Sequence, residues 1–192
     1  MSKEKDLHGA AVDPSLIGPT LPSIPPFTLP TGPTGPTGPS PTMRLQFLYI
    51  ANSGVGDNTV EIYDIFNPIF PVRVGEFNGG NLDMPAGLII IGTTLYVSNA
   101  GDNTVEIYNI SNPTVPVRVG EFNGGNLDGP AGLIITSTIL YVTNFNEDTV
   151  EIYDIKNPTV PVRVGEFNGG NLNGPAGLKY IRNEYICEFS YI

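Results

Sequence analysis

The chain has 192 residues, 19 acidic against 9 basic side chains and a net charge of −10. That balance disfavours nucleic acid and anionic membrane surfaces as partners, because both are gripped mainly by cationic side chains meeting phosphate. No apolar run reaches the length of a membrane-spanning helix, the single cysteine, Cys187, allows no internal disulfide, and 23 Gly with 19 Pro favour short strands and turns over helices.

Three regions separate by composition. Residues 1–15 begin MSKEKDLHGAAVDP, with charge but without the apolar centre of a secretory signal. Residues 16–42 are rich in proline yet not polar. LIGPTLPSIPPFTLPTGPTGPTGPS (16–40) sets Leu16, Ile17, Leu21, Ile24 and Phe27 among Gly18, Pro19, Thr20, Pro22, Pro25 and Pro26. Proline locks φ and removes a donor, so this piece reads as stiff, extended and unable to enter a sheet interior. Stiffness lowers the entropy lost on docking, and the apolar side chains suit anchors in a groove; a plain spacer is the alternative. GPTGPTGPS (32–40) has the glycine period of collagen over only three triplets, too few for a triple helix stable by itself.

From Met43 onward the sequence repeats. TVEIY occurs at 59–63, 104–108 and 149–153, and PVRVGEFNGGNL at 71–82, 116–127 and 161–172, both with a period of 45 residues. A period of this size implies one supersecondary unit that buries its faces against copies of itself. In the middle unit PAGLIIIG (85–92) and TTLYVSN (93–99) read as two strands at hairpin distance. AGDN (100–103) is a turn, TVEIYNI (104–110) the third strand, SNPTVP (111–116) a turn, and VRVGEF (117–122) the fourth strand before a glycine-rich connection. Val105 and Ile107 point one way, Tyr108 and Ile110 the other, so both faces are apolar. The pattern predicts an all-β fold, a partial β-propeller of about three four-stranded antiparallel blades; a β-solenoid or sandwich is the alternative. The expected division is a leader over 1–42 and a repeat domain over 43–192. Within that domain the repeats are 43–84, 85–129 and 130–174, followed by a degenerate tail, 175–192.

The polar clusters are the GDN turns (Asp57, Asn58; Asp102, Asn103), the NGGNL loops, and Glu61, Glu106 and Glu151. Asp and Asn oxygens suit Ca²⁺, but tight turns demand the same residues, and the turn reading is preferred. Glu76, Glu121 and Glu166 each follow Arg73, Arg118 and Arg163 by three residues. On a regular strand such positions face opposite sides, so these pairs are not expected to touch, and a solvated edge is the expectation. The only histidine, His8, precedes the repeats, and no Cys–His or Ser–His arrangement is expected in them. No cofactor, metal or catalytic residue is therefore expected, and the chain reads as not an enzyme.

LYVSN, LYVTN and the TVEIYDI, NP and PVRVGEF elements resemble the YVTN and LVIVD families of β-propeller repeats over residues 44–178. That likeness implies a blade type and little about function. AVDPSLIGPTLPSIPPFTLPTGPTGPTG (11–38) closely resembles the leader of Bacillus exosporium proteins, the collagen-like spore-surface glycoproteins among them. The resemblance implies targeting to the outermost spore layer, trimming before an A-x-D-P sequence and attachment to basal-layer proteins. Here that sequence is Ala11, Val12, Asp13 and Pro14, which puts cleavage between Ala10 and Ala11. It also makes Thr34 and Thr37 candidate acceptors of O-linked sugar, beside the spacer reading.

After Leu178 the repeat register ends, and GLKYIRNEYICEFSYI stands where GLIITSTILYVTN is expected. Three blades fall short of the four to eight of closed propellers, so the reading favours a truncated array with residual self-association of the open arc. The expected function is a structural or interaction protein of the spore exosporium that displays a propeller-type domain. A carbohydrate- or cation-binding surface module is the alternative, and a propeller-type lactonase a more distant one.

Overall fold

The β-branched runs of each repeat are cut by residues that tolerate special backbone angles, so the chain can only zigzag. In the computed structural model, Gly92 (φ 58°) turns one hairpin, and Asn103 (φ 58°) and Asp148 (φ 55°) turn the next ones, as short polar side chains in the left-handed region do. The structure describes Pro26, which is exposed, and residues 46–181 except Val55 and Gly80. The chain divides into two units, Met1–Thr42 and Met43–Ile192. The leader residues other than Pro26, the Ala10–Ala11 cleavage point, Thr34, Thr37 and Cys187 lie outside the described residues.

Among the described residues there are eleven strands and no helix. β1 (Phe47–Gly54), β2 (Asp57–Asp64) and β3 (Val72–Phe77) make one sheet. β4 (Pro85–Ile91), β5 (Thr94–Asn99), β6 (Thr104–Asn109) and β7 (Val117–Phe122) make the second. β8 (Pro130–Thr136), β9 (Ile139–Asn144), β10 (Thr149–Asp154) and β11 (Val162–Phe167) make the third. Every pairing is antiparallel between sequential neighbours. This is the all-β partial propeller expected from the repeats, with three, four and four strands. β4 and β8 are the innermost strands of their sheets, and β1, which corresponds to β5 and β9, packs beside β4. Residues 175–181 form no strand.

Two apolar layers lie between the three sheets. Val60 from the first sheet meets Leu95, Val97 and Tyr108 from the second, with Leu82 of the connecting loop. Tyr96, Val105 and Ile107 of the second sheet meet Leu140, Val142 and Tyr153 of the third, with Leu127 of the next loop. The second sheet is therefore buried on both faces, and every residue of β5 is buried. At about 25 cal/mol per Å² of apolar surface removed from water, these layers dominate the stability of the arc.

The two junctions use the same three devices. The Tyr49 hydroxyl donates to the Pro113 carbonyl (2.8 Å), and the Tyr96 hydroxyl to the Pro158 carbonyl (2.6 Å), each reaching the NP turn of the next sheet. Burial pushes the Tyr96 hydroxyl up to about 12. Phe77 packs on Tyr108 and Phe122 on Tyr153, both with centroids 4.6 Å apart. Beneath each tyrosine hydroxyl lies a glycine at positive φ, Gly79 (58°) and Gly124 (59°), where a Cβ would overlap the ring. Finally, Asn58 Oδ1 accepts the Met84 N–H (3.1 Å), Asn103 Oδ1 that of Gly129 (2.8 Å), and Asp148 Oδ1 that of Gly174 (2.7 Å).

Gly124→Ala forces a left-handed alanine into the Tyr153 ring and should remove about 3 kcal/mol or more. Gly92→Ala has nearly the same φ with open space around it and should remove only about 1 kcal/mol. Paired urea denaturation curves check the difference; equal losses would mean that the ring contact contributes nothing.

Candidate functional site

The charged groups that recur in each repeat are brought together by one irregularity. Ile62 pairs with Gly75 but Tyr63 pairs with Arg73, so Val74 is an extra residue in β3; Val119 in β7 and Val164 in β11 are extra in the same way. One inserted residue reverses the alternation of side chains beyond it. Arg73 and Glu76 therefore lie on one face, against the expectation that they part. Glu61 faces Glu76 directly across the ladder, as Glu106 faces Glu121 and Glu151 faces Glu166.

Like charges directly opposite on adjacent strands repel. The arginine resolves this by bridging both carboxylates. Arg73 Nη2 donates to Glu61 Oε1 (3.2 Å) and Glu76 Oε2 (2.6 Å). Arg118 binds Glu106 through Nε and Nη2 (3.2 Å for Nη2 to Oε1), and Glu121 through Nη2. Arg163 binds Glu151 through Nε and Glu166 through Nη2. A planar guanidinium with several fixed donors suits two acceptors at once.

Glu76, Glu121 and Glu166 stay about half exposed, at the expected solvated edge, and only their separation from the arginines is corrected; Glu106 and Glu151, across the ladder, are fully buried. Burial, the larger effect, holds both carboxyls above the ordinary glutamate value against the pull of their arginines. Glu61 is partly open, and hydrogen bonding from Arg73 holds it below that value.

A polar cleft of about 420 Å³ opens between the second and third sheets. Its lining includes Asn103, Asn126, Asp128, Asn144, Glu147, Thr149, Glu151 and Glu166. Asn144 holds the loop that forms one wall: its Nδ2 donates to the Asn126 carbonyl (2.7 Å) and its Oδ1 accepts the Asp128 N–H (2.6 Å). Asn99 does the same for the preceding loop, donating to the Asn81 carbonyl (2.8 Å). Glu151 Oε1 and Thr149 Oγ1 are buried with no partner, and both residues line the cleft. A buried oxygen without a partner costs about 1–3 kcal/mol, so both atoms would gain from a hydrogen-bonding group in the cleft.

The GDN turns and NGGNL loops take part in the junctions. Asn58 and Asn103 accept backbone N–H groups of the following connection, and Asn58 Nδ2 reaches Asp83 Oδ1 (3.1 Å). Among the described residues no group of three or more His, Cys, Asp or Glu side chains is set to hold a metal ion. The loop clamps Asn99 and Asn144 were not singled out from the sequence, although an asparagine ends LYVSN and LYVTN alike. The bulge had a signal too, because a glycine inside VRVGEF is the usual mark of one.

No family model matches the chain, and no curated protein matches it. Solved structures do. One is a candidate 6-phosphogluconolactonase from Bacteroides fragilis NCTC 9343, with TM-score 0.60 and 18% identity, covering 71% of this chain and 39% of that one. Another is the periplasmic gluconolactonase PpgL of Pseudomonas aeruginosa, with TM-score 0.57 and 14% identity, over 71% of this chain and 39% of that one. A third, a functionally unknown protein from Desulfotomaculum acetoxidans DSM 771, has TM-score 0.55 and 20% identity, over 70% and 45%. The chain spans less than half the length of these structures. The likeness establishes the fold, a propeller arc.

Arg118→Met leaves two facing glutamates, one of them buried, and should cost about 3–5 kcal/mol at neutral pH. Arg73→Met should cost clearly less than Arg118→Met, because Glu61 and Arg73 are partly solvated. The Glu106 carboxyl is raised when folded, so burying it ionised is unfavourable above its unfolded value near 4.5 and no longer so below it. The Arg118→Met deficit should therefore shrink as pH falls from 7 towards 4.5. Denaturant titrations at several pH values check this, and a deficit that grows on acidification would contradict the assignment.

Proposed function

We propose that this chain is a structural and interaction protein of the Bacillus spore exosporium, and that it is not an enzyme. Residues 1–42 act as its address, and the propeller arc is the displayed part. The observation that carries this reading is the resemblance of residues 11–38 to exosporium leaders. Its stiff, apolar-studded proline run has the properties of a docking arm, with basal-layer proteins as the partner. The repeat domain supports a scaffold role, because its recurring polar groups are occupied in joining sheets. Tyr49, Tyr96, Asn58 and Asn103 all bond across a junction, and the glutamates bond to arginines of their own sheets.

A second reading has its own support. The cleft beside Glu151 carries two unpaired buried oxygens and three further acidic side chains, Asp128, Glu147 and Glu166, which suits a hydroxyl-rich carbohydrate, or a cation held only loosely because no three of them are gathered as a metal site. A lactonase reading rests on likeness of fold alone.

A fusion of residues 1–42 to a fluorescent protein in a sporulating Bacillus should label the spore rim, and deletion of residues 11–30 should leave the signal in the mother cell. A diffuse signal from the intact fusion would remove the basis for this localisation. A rise in melting temperature with Ca²⁺, lost in Glu151→Gln, would favour the cleft reading instead.

A further inference from the structure

We propose that two copies of this chain close into one six-sheet ring, with residues 175–181 of each copy supplying the innermost strand of the other's first sheet. This stands on the repeat geometry and is independent of the leader.

The first sheet starts one strand late. β4 and β8 lie innermost in the second and third sheets, paired to β5 and β9. β1 occupies the β5 position, and among the described residues nothing pairs with its inner edge. At the other end a segment with the sequence of an innermost strand is set in place without a sheet. PAGLKYI (175–181) corresponds to PAGLIII (85–91) and PAGLIIT (130–136). Its entry is held as theirs are. Gly174, like Met84 and Gly129, has positive φ and donates its N–H to a turn side chain of the sheet before. The Ala176 carbonyl lies against Gly132 as the Ala131 carbonyl lies against Gly87. So the third sheet positions a segment with the sequence of an opening strand, and among the described residues the first sheet has no such strand.

The two end faces carry opposite halves of the junction. Leu48 and Ile50 are each 43% exposed, whereas their counterparts Leu95, Val97, Leu140 and Val142 are at 0%. Beside them a mostly apolar groove of about 240 Å³ runs along β1 and β4, between Phe47, Leu48 and Tyr49 on one side and Leu88, Ile89 and Ile90 on the other. The far face of the third sheet offers Phe167, 46% exposed, and Gly169, whose φ of 58° matches Gly79 and Gly124 but which has nothing above it. A tyrosine is the missing partner, and Tyr63, the counterpart of Tyr108 and Tyr153, is on the near face of the first sheet. Likewise Tyr141 matches Tyr49 and Tyr96, and Pro68 is the turn it would reach. Each junction inside the chain thus specifies the junction between chains.

The number of copies follows. The three described sheets, taken twice, make six, within the about four to eight of closed propellers. The contact is head-to-tail, and it closes after two copies instead of running on as a filament. Transferring the β4–β5 register, Leu88 to Val97 and Ile90 to Leu95, puts Leu178 opposite Ile50 and Tyr180 opposite Leu48. One element differs. Ser98 and Thr143 accept the N–H of Gly87 and Gly132 at the bulge of the innermost strand (2.6 Å each), and Ala51 stands at their position.

The test uses the full chain. Light scattering should give twice the chain mass; a monomer throughout the accessible concentration range would overturn the proposal. Ile50→Cys with Leu178→Cys, in a Cys187→Ser background, should oxidise to a reducible species of twice the chain mass. An internal cross-link, or a ladder of higher species, would overturn it. Ile50→Cys with Lys179→Cys sets the thiols on opposite faces and should not cross-link. Both sites are at the surface, and circular dichroism confirms that the variants fold. Ala51→Ser should tighten the dimer by about 25-fold, about fivefold for one hydrogen bond in each of its two junctions, and no change would count against the register.

Discussion

The constraint on which the molecule rests is that its sheets are apolar on both sides. A strand such as β6 sends Val105 and Ile107 to one neighbour and Tyr108 to the other. A sheet of this kind cannot be satisfied by one partner, so stacking is obligatory and must propagate. Apolar contact is non-directional, however, and would allow sheets to slide. The tyrosine–proline bonds, the seated Phe–Tyr pairs and the turn-to-backbone bonds remove that freedom, because each has one geometry. Burial supplies the driving force, and these few polar groups supply the register.

The glutamate–arginine–glutamate clusters follow from the same crowding. A charged residue in the middle strand of a stacked sheet has water on neither side. Glu106 and Glu151 are placed there and matched by an arginine from the outer strand, which reaches them only because the bulge turns it inward. Such a pair is weak evidence for net stability, since desolvation offsets most of the attraction. Its better-supported effect is on specificity. Only a strand bulged at Val74, Val119 or Val164 can bring the guanidinium between two facing carboxylates, so the cluster discriminates against a slipped outer strand.

Much of this was legible in the residues. The 45-residue period, the strand boundaries and the two-faced TVEIYNI pattern lead to stacked four-stranded sheets, because periodicity and turn chemistry are local. What was not legible depends on register. The three-residue spacing of Arg118 and Glu121 predicts separation on a regular strand, and the inserted Val119 reverses it; Gly120 alone was the clue. The buried loop clamps Asn99 and Asn144 were equally obscure, because their partners, the carbonyls of Asn81 and Asn126, lie 18 residues away and are invisible to side-chain patterns.

Near-identical repeats raise a problem of addressing. If every junction is the same, any front face can accept any rear face, and the array has no intrinsic length. Some of the departures from the repeat fall at the two end faces. The loop at 53–58 is two residues longer than its counterpart at 100–103. Ala51 stands where Ser98 and Thr143 do, and Lys179 and Tyr180 take the places of Ile89 and Ile90. In the proposed ring these changes leave the apolar anchors Leu48, Ile50 and Leu178 in register, while Ala51 lacks the hydroxyl with which Ser98 and Thr143 accept a backbone N–H. In the proposed ring the internal junctions would form first, because their partners are tethered, and the end faces would meet in an arc already folded. A weaker outer contact on strong inner ones is the arrangement that lets a repetitive chain fold alone before it associates.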